Sequence, residues 1–175
     1  MPTYAEKTYR GGFYNNKKKS GADDRVYTAK DIRKPYDTIY SDGVLPAADG
    51  TAGDTLKVTK TGGMGIAVGV GNAKLGGAWF ENSAAYNITL DTAGSAARYD
   101  CVIIRNDDSE DVREPTIYIK SLSAIPTVNN LTRAGDVYEI CVAYVRVPAF
   151  ATAITDEDII DTREDGALCN VMSGV

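Results

Sequence analysis

From Leu56 onward the chain repeats one pattern, a short apolar or alternating segment closed by turn residues. Leu56-Lys57-Val58-Thr59-Lys60 alternates with period two, then Thr61-Gly62-Gly63 turns the chain. Met64, Ile66, Val68 and Val70 alternate with Gly65, Ala67, Gly69 and Gly71, so this strand has one bulky and one bare face. Asn72-Ala73-Lys74 reads as a turn before Leu75–Glu81, and Tyr86–Leu90 alternates again. Asp100–Arg105 carries the run Cys101-Val102-Ile103-Ile104 and reads as a strand buried on both faces. Thr116–Lys120 follows Pro115, and Val137–Val147 is the longest apolar strand, closed by Pro148. Strands at roughly 10-residue intervals with turns between them predict a mainly β chain, an antiparallel, jelly-roll-like β-sandwich.

Before the strands the pattern changes twice. Residues 1–25 hold Tyr4, Tyr9, Phe13 and Tyr14, the pair Gly11-Gly12 and the run Lys17-Lys18-Lys19, with neither period. This segment reads as an extended arm whose aromatics need a surface, either the chain's own core or a neighbouring subunit. A short helix follows near 29–40. Thr28 is its N-cap with Asp31 three residues on, and Ile32, Tyr36 and Ile39 form one apolar stripe. Pro35 predicts a helix that stops near Lys34 or restarts at the proline. The sandwich domain spans 26–165. Thr155–Asp158 reads as a capped acidic turn, and 166–175 as a linker or last edge strand.

Composition removes several kinds of chemistry. The 175 residues include no histidine, which excludes Ser-His and Cys-His nucleophiles and most zinc sites. Cys101, Cys141 and Cys169 are too widely spaced for a CxxC site and read as buried free thiols of a reducing compartment. A net charge of −5 without a basic face argues against nucleic acid. No apolar run is long enough for a membrane span, and Met1–Lys7 has no h-region of a signal peptide.

The densest acids, Asp100, Asp107, Asp108, Glu110 and Asp111, lack the register of a calcium loop and read as a polar hairpin tip between two strands. No catalytic, cofactor or metal residues are assigned. A glycosidase would need two acids converging about 5–9 Å apart. The series from Gly62 to Gly71 lacks the GK[ST] ending of a phosphate loop. Trp79, near Gly76-Gly77, reads more readily as core than as a sugar platform with Tyr86. Asp100 and Arg105 are an odd number apart, so they face opposite sides, whereas Asp161 and Arg163 share parity and suit holding the C-terminal turn.

Several segments in order carry a resemblance: Arg25-Val26-Tyr27-Thr28-Ala29-Lys30-Asp31, Ser41-Asp42-Gly43-Val44-Leu45 and Gly77-Ala78-Trp79-Phe80-Glu81-Asn82. The strand Leu56-Lys57-Val58-Thr59 stands between the last two of these, and the set continues with Arg98–Arg105, Leu131–Ile140 and Ile154–Arg163, with Cys169 beyond. The set resembles the N-terminal, virion-attachment (shoulder-like) domain of baseplate and receptor-binding structural proteins of tailed bacteriophages infecting Gram-positive bacteria, over most of residues 23–170. The resemblance implies a non-enzymatic sandwich that anchors a tail-tip appendage, assembled as a trimer or hexamer and docked on other tail proteins. It implies synthesis in the host cytoplasm and residence in the virion, with no catalytic residues. Longer relatives continue into a stalk and host-binding head, so this chain reads as the anchoring module alone or as an adaptor. The expected assembly residues are Tyr4, Tyr9, Phe13 and Tyr14 of the arm, with Gly65 and Gly69 of the bare strand face. The alternative is a carbohydrate-binding module that reads host surface saccharide through Trp79 and Tyr86.

Overall fold

The computed structural model describes residues 28–175 and the backbone of a two-residue hairpin, β1 (Lys18–Lys19) and β2 (Ala22–Asp23). The remainder of the expected arm, with Tyr4, Tyr9, Phe13 and Tyr14, lies outside the described residues. Helix α1 (Ala29–Ile39) comes next, then β3 (Gly43–Val44), β4 (Val58–Gly62) and β5 (Gly65–Val68). The chain continues with β6 (Gly71–Leu75), β7 (Ala78–Asn82), β8 (Tyr86–Thr89) and β9 (Arg98–Asp107). Last are β10 (Glu114–Leu122), β11 (Arg133–Ala134), β12 (Val137–Val147) and β13 (Ile159–Asp161).

The architecture is the antiparallel β-sandwich that the periodicity predicts. One layer is a five-stranded sheet in the order β10-β9-β12, with β11 and β13 sharing the far edge of β12. Facing it are two three-stranded sheets, β3-β6-β7 and β4-β5-β8. The Asn82 amide joins these two by donating to the carbonyls of Val68 (3.2 Å) and Gly69 (2.8 Å). Ile66, Val68, Leu75 and Phe80 pack with Val102, Ile104, Ile140 and Val145 in the main core. The opposite face of β9 is buried as well. Cys101 and Ile103 join Cys141, Leu168 and Tyr144 in a second cluster, which is why this strand reads as continuously apolar. A bulge between Cys141 and Ala143 places Val142 and Ala143 both in the main core.

Local differences from the sequence reading have physical causes. The turn is not at Asn72-Ala73-Lys74, which lies within β6. It falls at Gly76-Gly77, both in the left-handed region (φ 54° and 75°), which a tight β-hairpin turn requires. Leu56 is fully buried but has φ 55°, so β4 starts two residues later. Helix α1 does not stop at Pro35. Its reciprocal cap is in place, Asp31 N–H on Thr28 Oγ1 and Thr28 N–H on Asp31 Oδ2. Ion pairs to the sandwich from Arg33 and Asp37 hold the turns on either side of the proline. Residues 166–175 form neither a free linker nor a full strand. They pack beside β3, with Val44 N–H on Asn170 O (3.0 Å) and Met172 N–H on Val44 O (2.8 Å).

The ionic pairs fall where strand parity puts them. Asp100 takes Arg98 Nε (2.9 Å) and the Ser121 hydroxyl (2.6 Å), while Arg105 pairs with Asp107 (2.9 Å). Arg163 is only 4% exposed and binds Asp161 through Nε (2.9 Å) and a terminal nitrogen (2.6 Å). Its other nitrogen donates to the carbonyls of Gly53 (2.9 Å) and Thr55 (2.7 Å), tying the loop after β3 to the C-terminal turn. The substitution Arg163→Met keeps the aliphatic stem but orphans these buried acceptors. A loss of about 3 kcal/mol in urea unfolding is expected, against less than about 1 kcal/mol for an exposed ion pair such as Lys57–Asp54.

Candidate interaction surface

Helix α1 sits on the sandwich by its charges. Arg33 and Asp37, one turn apart, face the body, where Arg33 pairs with Asp108 and Asp37 with Lys74 (2.8 Å). Lys74 is 5% exposed and also binds Asp42 (2.7 Å), so two carboxylates hold one buried ammonium beneath the helix. Burial alone would lower the Lys74 pKa; the hydrogen bonds and charges of Asp37 and Asp42 outweigh it and raise the pKa above 10.5. Gly77 allows the close approach. A Cβ there would stand 2.8 Å from both Arg33 Cβ and an Asp37 carboxylate oxygen.

That seating turns the apolar stripe outward. A stripe at i, i+4, i+7 ordinarily faces a core. Here Ile32, Tyr36 and Ile39 are 50%, 55% and 51% exposed, and α1 buries no residue. The surface continues past the helix, since Tyr40 is half-exposed and Val175 N–H bonds the Ile39 carbonyl (2.9 Å) with its side chain in solvent. Contiguous exposed apolar side chains of this kind mark interaction sites on soluble proteins.

On the other side of α1 lies a cleft of about 360 Å³, lined among others by Lys30, Arg33, Asp108, Arg133, Asp136 and Tyr138. Most of its charges are already engaged. Arg133 donates to the carbonyls of Glu139 (3.0 Å) and Leu168 (2.9 Å) and lies 5.6 Å over the Tyr138 ring. Burial, with help from Asp42, pushes the Tyr138 hydroxyl up to about 12, so it stays protonated. Among the described residues no three His, Cys, Asp or Glu side chains converge as a metal site.

The residues singled out in the sequence are dispersed. Trp79 is 58% exposed on the outer face of β7, opposite Lys74 across the β6–β7 ladder, and is not a core residue. Its neighbour Phe80 takes the inward position, a parity that the adjacent glycines concealed. Tyr86 is half-exposed at the start of β8, in the other three-stranded sheet, so the two aromatics do not share a platform strand. The bare faces are covered within the chain. A Cβ at Gly65 would meet Thr61 Oγ1 at 2.4 Å, and one at Gly69 the Lys57 carbonyl at 3.2 Å. The three cysteines are free and buried. What sequence reasoning missed is the charged side of α1, whose signal is the i, i+4 spacing of Arg33 and Asp37.

A buried carboxylate braces the sheet behind this surface. Glu139 on β12 is 2% exposed and accepts from the Tyr118 hydroxyl, Lys120 Nζ (2.9 Å) and the Thr132 N–H (2.8 Å). Burial would raise its pKa, but these donors outweigh it and leave it below 4.5; the same burial and the facing Glu139 push the Tyr118 hydroxyl up.

No protein-family model, curated protein or solved structure matches the chain. Fold and surface together define a β-sandwich with one outward-facing amphipathic helix.

Two outcomes follow from the buried charges. A carboxylate with a depressed folded pKa contributes stability that is complete above its unfolded value and is lost as pH falls through the folded one. Urea stability of the wild type is therefore expected to fall between about pH 5 and pH 3. Glu139→Gln should be less stable at neutral pH and less sensitive to acid across that interval; an equal slope in both proteins contradicts the assignment. Lys74→Met leaves Asp37 and Asp42 unpaired and is expected to cost about 3 kcal/mol, read from the same urea curves.

Proposed function

We propose that the chain is a structural, self-associating protein of a phage tail tip or baseplate, anchoring or forming a receptor-binding appendage. Its work is assembly and docking, with no catalytic step. The observation that carries this reading is the seating of α1, which spends its charged face on its own sandwich and offers its apolar stripe to something else. The motif resemblance supplies the biological setting: a homo-oligomer, trimer or hexamer, held in the virion by other tail proteins. A rigid sandwich with a displayed docking face suits that role.

Light scattering on the full chain tests the reading. Mass well above one protomer is expected, and a monomer at every concentration would sink it. Ile32→Ser with Tyr36→Ser removes about 3 kcal/mol of apolar burial in the interface and should weaken assembly roughly 100-fold. Both residues are half-exposed, so the melting point of the dissociated protomer should stay put.

The outward position of Trp79 favours a second reading, a carbohydrate-binding module. A glycan array separates the two. Reproducible binding that Trp79→Ala abolishes supports the module, and no binding by either protein leaves the assembly reading.

A further inference from the structure

We propose that the apolar stripe of α1 is the seat for the N-terminal segment, Tyr4 to Tyr14, of a second copy of this chain. The inference deepens the assembly reading and rests on it. Ile32, Tyr36, Ile39 and Tyr40 stand 41–55% exposed, so none of the described residues covers the stripe.

Area then favours an arm over a second helix. The stripe offers a few half-exposed side chains, and a stable interface needs about 800 Å² from each partner. Two such stripes face to face fall short of that. When arms are exchanged each copy contributes an arm as well as a stripe, and Tyr4, Tyr9, Phe13 and Tyr14, able to bury about 150–250 Å² each, add to the area on every copy.

Spacing and charge agree with that occupant. Ile32 and Ile39, the two ends of the stripe, are about 10 Å apart along a helix, and Tyr9 and Phe13 about 13 Å apart in extended chain, so two successive arm aromatics span the stripe from end to end. Residues 1–27 hold six of the 19 Lys and Arg and three of the 24 Asp and Glu. That is a net +3, leaving −8 on residues 28–175, so an arm is drawn to any sandwich of the same kind.

Cysteine scanning in the full-length chain tests it. Tyr4→Cys, Tyr9→Cys and Phe13→Cys are each combined with Ile32→Cys or Ile39→Cys, oxidised mildly and run on non-reducing gels. The native thiols are buried, which keeps them out of the reaction. At least one arm–helix pair is expected to give a ladder of linked chains that neither single variant gives. A disulfide within one chain would overturn the proposal in favour of the chain's own arm, and linkage of Ile32→Cys or Ile39→Cys alone would overturn it in favour of paired helices. No linkage in any pair also overturns it. Replacing Tyr4, Tyr9, Phe13 and Tyr14 together by Ser should lower the light-scattering mass to one protomer. An unchanged oligomer there rejects the arm while the assembly reading stands; a wild type that is itself monomeric rejects both.

Discussion

The buried ammonium of Lys74 organises the surface of this protein. Its strand, β6, sits in the middle of a three-stranded sheet, and a cation at that depth must be neutralised. Asp42 does so from the segment after α1, and Asp37 does so from the helix itself. Once Asp37 is committed to Lys74 and Arg33 to Asp108, the rotation of α1 about its axis is no longer free. The apolar stripe then faces outward as a geometric consequence. A buried ion pair of this type specifies an arrangement more than it adds stability, and the arrangement here is the display of a helix.

The same economy recurs at the edges of the sandwich. Arg163 gathers a loop and the C-terminal turn around one guanidinium, and Glu139 gathers β10, β12 and the turn before β11 around one carboxylate. Each polar centre is saturated by neighbours of its own chain. A surface that displays an apolar stripe is suited to contact.

Much of this was legible from residue order alone. The strands stood out because β9 and β12 carry apolar residues on both faces and β4 and β8 alternate. The cap of α1 was legible in Thr28 and Asp31, and strand parity separated Asp100 from Arg105. The failures share a cause. Trp79 looked internal and Asn72-Ala73-Lys74 looked like a turn because neighbouring glycines blurred the period, and only the paired positive φ angles of Gly76 and Gly77 place the turn. The persistence of α1 through Pro35 depends on partners 75 and 37 positions away, Asp108 and Lys74, which no local pattern encodes. Gly65 and Gly69 foretold a close approach, but periodicity carries no information about which chain approaches, and Thr61 and Lys57 supply it from within.

Hydroxyl-radical footprinting of Tyr36 and Ile32 across a dilution series addresses the display of α1 most directly. Both side chains should oxidise readily in dilute protein and become protected as concentration rises, while Phe80 and Ile104 stay unreactive throughout. Equal labelling of Tyr36 and Ile32 at every concentration, whether strong or absent, would contradict the account.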